Sequence, residues 1–449
     1  MLKRFINFIL ALCLIIFHSS FNQFVSIEKF NSNKVKEHIE YLASNKLDGR
    51  LAGSNANLEA ANYIKDKFKD YGLETFNGSY YHNFTTFYPK KLNSKPHLSV
   101  VNQNNEIIKE YTYGVDYRED LLNFRNNKLS FNSKEITYST KDFMAFSSDK
   151  KSLILFTPDN DNISFRSSFF PQSKVDMYIM VKDAARKDIA SFLDKGFNLN
   201  CYIPFNIEEE TINNVVATIK GKSSAEPVII SGHFDHLGSD LSGTVYSGAL
   251  DNASGISFVI EFSKYLKSLG TPKNDIIIVG FNAEEFGCLG AKAFAKDNIS
   301  YIKNAKAFNF DMIGTDSNIP LSLMGGKSNS PDSNLIKSVS NTCSKEKVNF
   351  TYIFDDSSDH EAFTNLGINA MTFIDDDKSR IHTPEDKAEF ISSKSIDRCF
   401  KVASKEVIKQ AFSDDPNILY CKELLISSLL LSTIISLIII KKNKQSSWL

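Results

Sequence analysis

Four short apolar runs punctuate the second half of this chain, and each is followed closely by a polar segment rich in histidine and carboxylate residues. Residues 228–230, 276–279, 307–310 and 370–374 are β-branched, aromatic or otherwise apolar, the pattern of strands buried in a sheet. Between them, 254–269, 289–296 and 330–345 read as helices, and 55–71 reads as another nearer the amino terminus. Alternation of strand and helix predicts an α/β fold, a three-layer mixed sheet flanked by helices. From about 86 to 212 the pattern changes to polar, irregular sequence. Strand-like runs at 152–156 and 177–181 and a helix-like stretch at 183–195 predict an inserted, β-rich subdomain there.

The polar segments carry the candidate chemistry. They read Ser231-Gly232-His233-Phe234-Asp235-His236-Leu237-Gly238, Gly248-Ala249-Leu250-Asp251-Asn252-Ala253-Ser254-Gly255, Phe281-Asn282-Ala283-Glu284-Glu285-Phe286-Gly287, Asn309-Phe310-Asp311-Met312-Ile313-Gly314 and Ile381-His382-Thr383-Pro384-Glu385-Asp386. Loops at the carboxyl ends of strands converge on one crevice in an open α/β sheet, so residues far apart in sequence can meet. Imidazole and carboxylate together suit a divalent transition metal, most simply zinc. A carboxylate shared by two ions holds a pair about 3.5–4 Å apart, which activates water and stabilises an oxyanion. Such a site needs a further, unligated carboxylate as base. Glu284 and Glu285 offer one of each, because neighbours in extended chain point opposite ways. Taken singly, each motif is ordinary: a histidine near an aspartate or a glutamate pair is common on surfaces, and Asn252 to Gly255 suits a helix cap. The ordered set carries the inference.

That order, His-x-Asp, Asp-Asn-Ala-Ser-Gly, Glu-Glu, Asp and His, resembles the co-catalytic (di-zinc) aminopeptidase family. These zinc exopeptidases are related to glutamate carboxypeptidase, glutaminyl cyclase and the transferrin receptor ectodomain. The resemblance implies two Zn2+ per chain, one taking His233 and Asp311, the other Glu285 and His382, with Asp251 bridging. It implies Glu284 as general base and Asp235 as the partner that orients His233, with a cis peptide at Asp251-Asn252. It extends to Leu47-Asp48-Gly49-Arg50-Leu51-Ala52-Gly53-Ser54, to a strand at 213–221 opening the catalytic core, and to Ser358-Asp359-His360-Glu361-Ala362-Phe363. In that last segment Asp359 and His360 are expected near the substrate pocket, with a helix-start role as the alternative for His360. His236 is expected either behind a ligand or simply in a polar loop. The implied organisation is a peptidase domain split into 25–85 and a catalytic core at 213–413, around an insertion at 86–212 that resembles a protease-associated domain by position and length. The implied activity is a zinc-dependent aminopeptidase acting on peptides. A glutamate-carboxypeptidase-like enzyme, a glutaminyl cyclase and a non-catalytic receptor-like ectodomain are the alternatives.

Composition narrows the setting. The chain has 449 residues, 42% of them hydrophobic, and a formal net charge of −1. That balance makes no electrostatic case for nucleic acid. Met1-Leu2-Lys3-Arg4 precedes an apolar run from 5 to 17, the pattern of a secretory signal peptide at 1–20, with a retained anchor as the alternative. A second uncharged run, 424–440, predicts a transmembrane helix at 422–440. Lys441, Lys442 and Lys444 favour a cytoplasmic tail at 441–449. Together these predict a single-pass membrane protein with its catalytic domain outside, at a cell surface, in a periplasm or in a lumen. Cys201, Cys288, Cys343 and Cys399 show no metal spacing and no dense disulfide framework. The motifs encode neither the oligomeric state nor the preferred substrate side chain.

Overall fold

The computed structural model describes residues 2–166, 168–170, 172–315, 318–413 and 415–446. Met1 of the expected signal segment and residues 447–449 of the expected tail lie outside the described residues. Helix α1 (Leu2–Ser26) leads to α2 (Ser32–Leu42) and α3 (Asn55–Asp70). The side chains of Asn31 and Ser54 cap α2 and α3 by accepting backbone N–H groups of their first turns. Between these helices Asp48, Gly49 and Arg50 all take positive φ. Glycine is required at 49, since a Cβ there would lie 2.4 Å from the Gly238 carbonyl oxygen.

Strand β1 (Tyr81–Lys91) and the long β2 (Phe205–Ile219) follow, then β3 (Ser223–His233), α4 (Gly255–Ser268), β4 (Asn274–Phe281) and α5 (Leu289–Asp297). After these come β5 (Lys306–Asp311), β6 (Leu321–Gly325), α6 (Asn334–Glu346), β7 (Phe350–Phe354), β8 (Asn369–Ile374), α7 (Ser393–Ala411) and α8 (Cys421–Ser446). The nine-stranded mixed sheet runs from the short strand Glu74–Thr75 through β2, β4, β3, β5, β8 and β6 to β7, with β1 paired along β2. Strands β4, β3, β5 and β8 are parallel. His233 pairs with Phe281, and Asp311 with Ile374, so the four carboxyl ends share one rim.

The sheet is the middle of three layers. Along β4, Ile276 and Ile278 face the core beneath α2, α3, α4, α6 and α7, whereas Ile277, Val279 and Phe281 face α5. That alternation is the period-two placement of strand side chains, with both faces apolar because both are covered.

The insertion forms a second core of its own. A five-stranded sheet and a four-stranded sheet pack with the helix Asp183–Asp194 around Tyr117, Phe124, Phe146 and Leu199. Positions 86 and 212 both lie inside the continuous β1–β2 ladder, which pairs from Tyr81 with Val215 to Lys91 with Phe205. The polypeptide therefore passes between the two cores along one antiparallel ribbon. Leu237, Tyr246, Ala283 and Phe286, all from rim loops, pack into the insertion's core. All six cysteines are free thiols and buried. Two helices, at Arg4–Ser26 and Cys421–Lys441, are long and apolar enough to cross a membrane, and both stand largely exposed.

Candidate metal centre

His233 ends β3 with its ring buried. Its Nδ1 lies 3.3 Å from the Asp235 carbonyl oxygen. A proton on that nitrogen leaves the Nε2 lone pair facing carboxylates. Nε2 is 3.5 Å from Asp251 Oδ1, 3.5 Å from Asp311 Oδ1 and 3.9 Å from Glu284 Oε2. Asp311 ends β5, and Asp251 lies on the irregular turn Ala249–Ser254 before α4, where its peptide bond to Asn252 is cis.

A second group stands on the other side of Asp251. His382 Nε2 is 3.1 Å from Asp251 Oδ2 and 3.3 Å from Glu285 Oε2. His236 Nδ1 is 2.9 Å from Glu285 Oε1 and 3.9 Å from Asp251 Oδ2. Asp251 thus presents one oxygen to each group, as a bridging carboxylate must. The donor set suits a pair of divalent ions on chemical grounds. His233, Asp251 and Asp311, and separately His236, Asp251 and Glu285, bring one ligand atom each within 4.8 Å of one another. Asp311 Oδ1 is buried without a hydrogen-bond partner beside His233 Nε2, the state of a group awaiting an ion.

Glu284 and Glu285 diverge as expected, but not for the expected reason. They sit on a turn, not on extended chain: Ala283 takes a φ of 56°, and the N–H groups of Gly287 and Cys288 return to the Glu284 carbonyl. Asp235 holds this turn by accepting the N–H groups of Glu284 and Glu285 at 3.0 and 3.2 Å. Both its backbone oxygen, at 3.3 Å, and its carboxylate, at 3.7 Å, face His233 Nδ1. Burial drives the Glu284 carboxyl well above the usual carboxylate range, against the pull of His233. Burial pushes Glu285 the same way, but His382 and His236 outweigh it and hold that carboxyl well below the range. Glu285 in turn pushes His382 up to about 12. The two glutamates are thereby separated electrostatically.

The structure places His360 away from the centre. It opens the short helix His360–Thr364 fully buried, with Nδ1 2.9 Å from Thr372 Oγ1 and Nε2 2.9 Å from the Asp355 carbonyl oxygen. Both ring nitrogens are engaged away from the centre, so it locks a helix to β8 and does not line a pocket. Asp359 beside it is buried with both carboxylate oxygens unpartnered, and burial raises its pKa to about 8.

Several positioning residues escaped the sequence reading. Asp386 accepts the Leu250 and Asp251 N–H groups at 2.8 and 3.0 Å, which aims the bridging aspartate. Ser358 donates to Asp311 Oδ2 at 2.7 Å and accepts from Asn309 at 2.9 Å. Asn252 donates to the Phe310 carbonyl and accepts the Gly255 and Met312 N–H groups. Their only sequence signal was a place inside motifs singled out for other residues.

Residues 214–407 match peptidase family M28. Over 205 residues the chain is 31% identical to aminopeptidase YwaD of Bacillus subtilis, covering 42% of each protein. Over 105 residues it is 31% identical to a probable glutamate carboxypeptidase of Arabidopsis thaliana, covering 22% of this chain and 14% of that one. The chain thus spans less than half the length of these curated relatives. Among solved structures, a zinc aminopeptidase from Bacillus subtilis aligns with a TM-score of 0.62 at 18% identity, over 86% of this chain and 97% of that one. An aminopeptidase from Aneurinibacillus sp. aligns at 0.57 and 20% identity, over 85% and 94%. At those identities the two structures establish a shared fold.

Proposed function

We propose that the chain is a zinc-dependent exopeptidase of peptidase family M28, an aminopeptidase that releases amino-terminal residues from peptides and is anchored to a membrane by α8. The observation that carries this is the placement of Asp251 between two histidine–carboxylate groups, with Glu284 beside the first. His233 and Asp311 would hold one zinc ion, Glu285 and His382 the other, and Asp251 both. When bound, the ions supply a polarised water, charge for a developing oxyanion and a field that lets the crowded carboxylates ionise. Glu284 takes the proton of the attacking water at its carboxylate and passes it to the leaving amine nitrogen. Asp235 and Asp386 hold the two turns that aim Glu284 and Asp251.

The state of the nearby cations favours this over a carboxypeptidase. Lys327 pairs with Asp355 at 3.2 Å and Lys378 with Asp376 at 3.1 Å, while Arg380 stacks on Phe390. A carboxypeptidase of the glutamate-releasing kind needs free basic groups for substrate carboxylates, and both lysines already face a carboxylate. Lys441, Lys442 and Lys444 in the last turns of α8 favour a cytoplasmic end there and a catalytic region across the membrane. A panel of amino-acid anilides beside amino-blocked peptides tests the assignment. Cleavage of free-amino substrates only is expected; cleavage of the blocked peptides from their carboxyl ends would overturn it.

A further inference from the structure

The terminal helices carry a feature that catalysis does not use. The carbonyl of Ser20, in the last third of α1, accepts the Cys421 S–H at 3.5 Å, at the first residue of α8. The helices pack along one another and run antiparallel from that contact, which joins the end of α1 to the start of α8. Arg4–Ser26 spans 23 residues and Cys421–Lys441 spans 21, each enough to cross a hydrocarbon core that needs about 20.

Their buried and exposed faces divide in an unusual way. Buried on α1 are Cys13 and Ser20, two helical turns apart. Buried on α8 are Cys421, Ser428 and Ser432, again at intervals of one or two turns. Every one is small and most carry a hydroxyl. Large apolar side chains point outward instead: Phe8 is 66% exposed, Ile15 66%, Leu430 58% and Leu437 61%. A helix pair in water buries its large apolar residues and exposes its serines. This pair fully buries only small residues, with Ile9, Phe17, Leu425 and Ile435 half-buried beside them and large apolar side chains outward; small residues along a seam let backbones approach closely, as helices do in lipid.

Both ends of the pair fit a bilayer crossing. Counting back along both helices from the Ser20–Cys421 contact brings Arg4 level with the last turns before Lys441, so the basic residues of both termini share one end. The opposite end is fixed to the peptidase core. Gln23 donates to the Leu269 carbonyl at 3.1 Å, the Glu28 N–H donates to Ser268 Oγ at 3.0 Å, and Lys264 pairs with Glu28. A segment removed after secretion has no use for a matched seam and such a mooring.

We propose that α1 is retained as a second membrane span, paired with α8 as a two-helix hairpin in the lipid bilayer. The basic ends of both spans then lie on the cytoplasmic side, and the catalytic region between the spans lies on the other. The acyl chains of the bilayer cover the exposed apolar faces. The inference rests on the reading of α8 as an anchor, and the experiment separates the two.

The full chain is expressed in a host with a secretory pathway, and its membranes are washed with carbonate. Chain purified from them in detergent should have an intact mass that includes Leu2–Ser26; a mature chain beginning beyond Ser20 overturns the hairpin. In a Cys13→Ser background, Ser20→Cys is then oxidised in the membrane by copper phenanthroline and oxygen, beside native Cys421. After proteolysis of the catalytic region, the amino- and carboxyl-terminal fragments should stay joined until reduced. Ile15→Cys, on the outward face, should leave them separate. Separate fragments from Ser20→Cys would overturn the pairing. Full chain that washes off freely would remove the anchor reading as well, whereas membrane-held chain lacking α1 would remove the hairpin alone.

Discussion

Arg50 Nη2 donates to the Gly248 carbonyl at 2.9 Å, across 198 residues of sequence. The same fully buried guanidinium donates to the carbonyls of Phe234 and Ser247, each at 2.8 Å, and of Leu42. Phe234 follows His233, and Gly248 begins the turn that presents Asp251, so one cation ties both loops to the amino-terminal segment. Burial lowers its pKa to about 10, while Asp386, Asp235, Asp251 and Glu285 pull the other way, and it stays charged at neutral pH. Arg50→Met should leave four carbonyls without this donor, at about 1–3 kcal/mol for each buried group left unsatisfied. Arg50→Lys should recover little, because one ammonium cannot span the positions that a planar fork reaches. Both variants should melt several degrees lower and hold less zinc, with Arg50→Met the worse. Melting curves and elemental analysis check this; an Arg50→Lys protein matching the parent in both would show that the fork geometry is unimportant.

The glutamate pair should separate chemistry from metal retention. Glu284→Gln should keep fold and zinc while kcat falls by about 10²–10⁴-fold, the usual contribution of a general base. Glu285→Gln should lose zinc first, because that side chain faces His236 and His382. Kinetics paired with metal content decide, and the reverse pattern would exchange the two roles.

The sheet and its rim were legible because strands β3, β4, β5 and β8 are apolar on both faces and end at their own motifs. Periodicity does not record packing partners, so the ribbon of β1 and β2 through the insertion's edges was invisible: residues 86 and 212 lie in polar, alternating sequence. The centre was legible wherever a residue's type announced its chemistry, as with His233, Asp251 and Asp311. For His360 sequence left a pocket role and a helix start both open, because only the fold shows its two ring nitrogens meeting Thr372 and Asp355. Asp386 escaped for the opposite reason: its work is done on backbone N–H groups, and any carboxylate does that without a special neighbour in sequence. The seam between α1 and α8 is a property of two distant segments together, and neither helix shows it alone.

Glu119 should give the parent protein a pH dependence that a glutamine lacks. It lies in the insertion strand Tyr117–Phe124, fully buried, with one oxygen accepting from Tyr113 at 3.1 Å and the other unpartnered. Burial raises its pKa from 4.5 to about 7. The folded state therefore binds more protons than the unfolded state between those values, and stability falls as pH rises through that window. The full effect is about 3 kcal/mol at one pKa unit per 1.36 kcal/mol, present below pH 4.5 and lost as pH rises through about 7. Glu119→Gln has no proton to lose there. Its stability relative to the parent should improve steadily from pH 5 to pH 7.5 in paired denaturation curves. A constant difference would mean that Glu119 is already ionised in the fold.

The two histidines beside Glu285 should respond differently to removal. His382 Nε2 faces both Asp251 and Glu285 within 3.3 Å, on the open side of the centre, where its ring is 39% exposed. His236 is fully buried and directs Nδ1 at Glu285 alone within hydrogen-bonding distance. The first arrangement suits a ligand; the second suits a partner that orients a ligating carboxylate, a class of contact whose loss typically costs about 10–100-fold in affinity. His382→Ala should therefore bind about one zinc per chain where the parent binds about two, the surviving ion held by His233, Asp251 and Asp311. His236→Gln should still reach two ions at saturating zinc, but lose the second at lower chelator concentration than the parent. Metal titration with elemental analysis separates these outcomes. If His236→Gln stops at one ion while His382→Ala still reaches two, His236 is the ligand and His382 lies outside the coordination sphere.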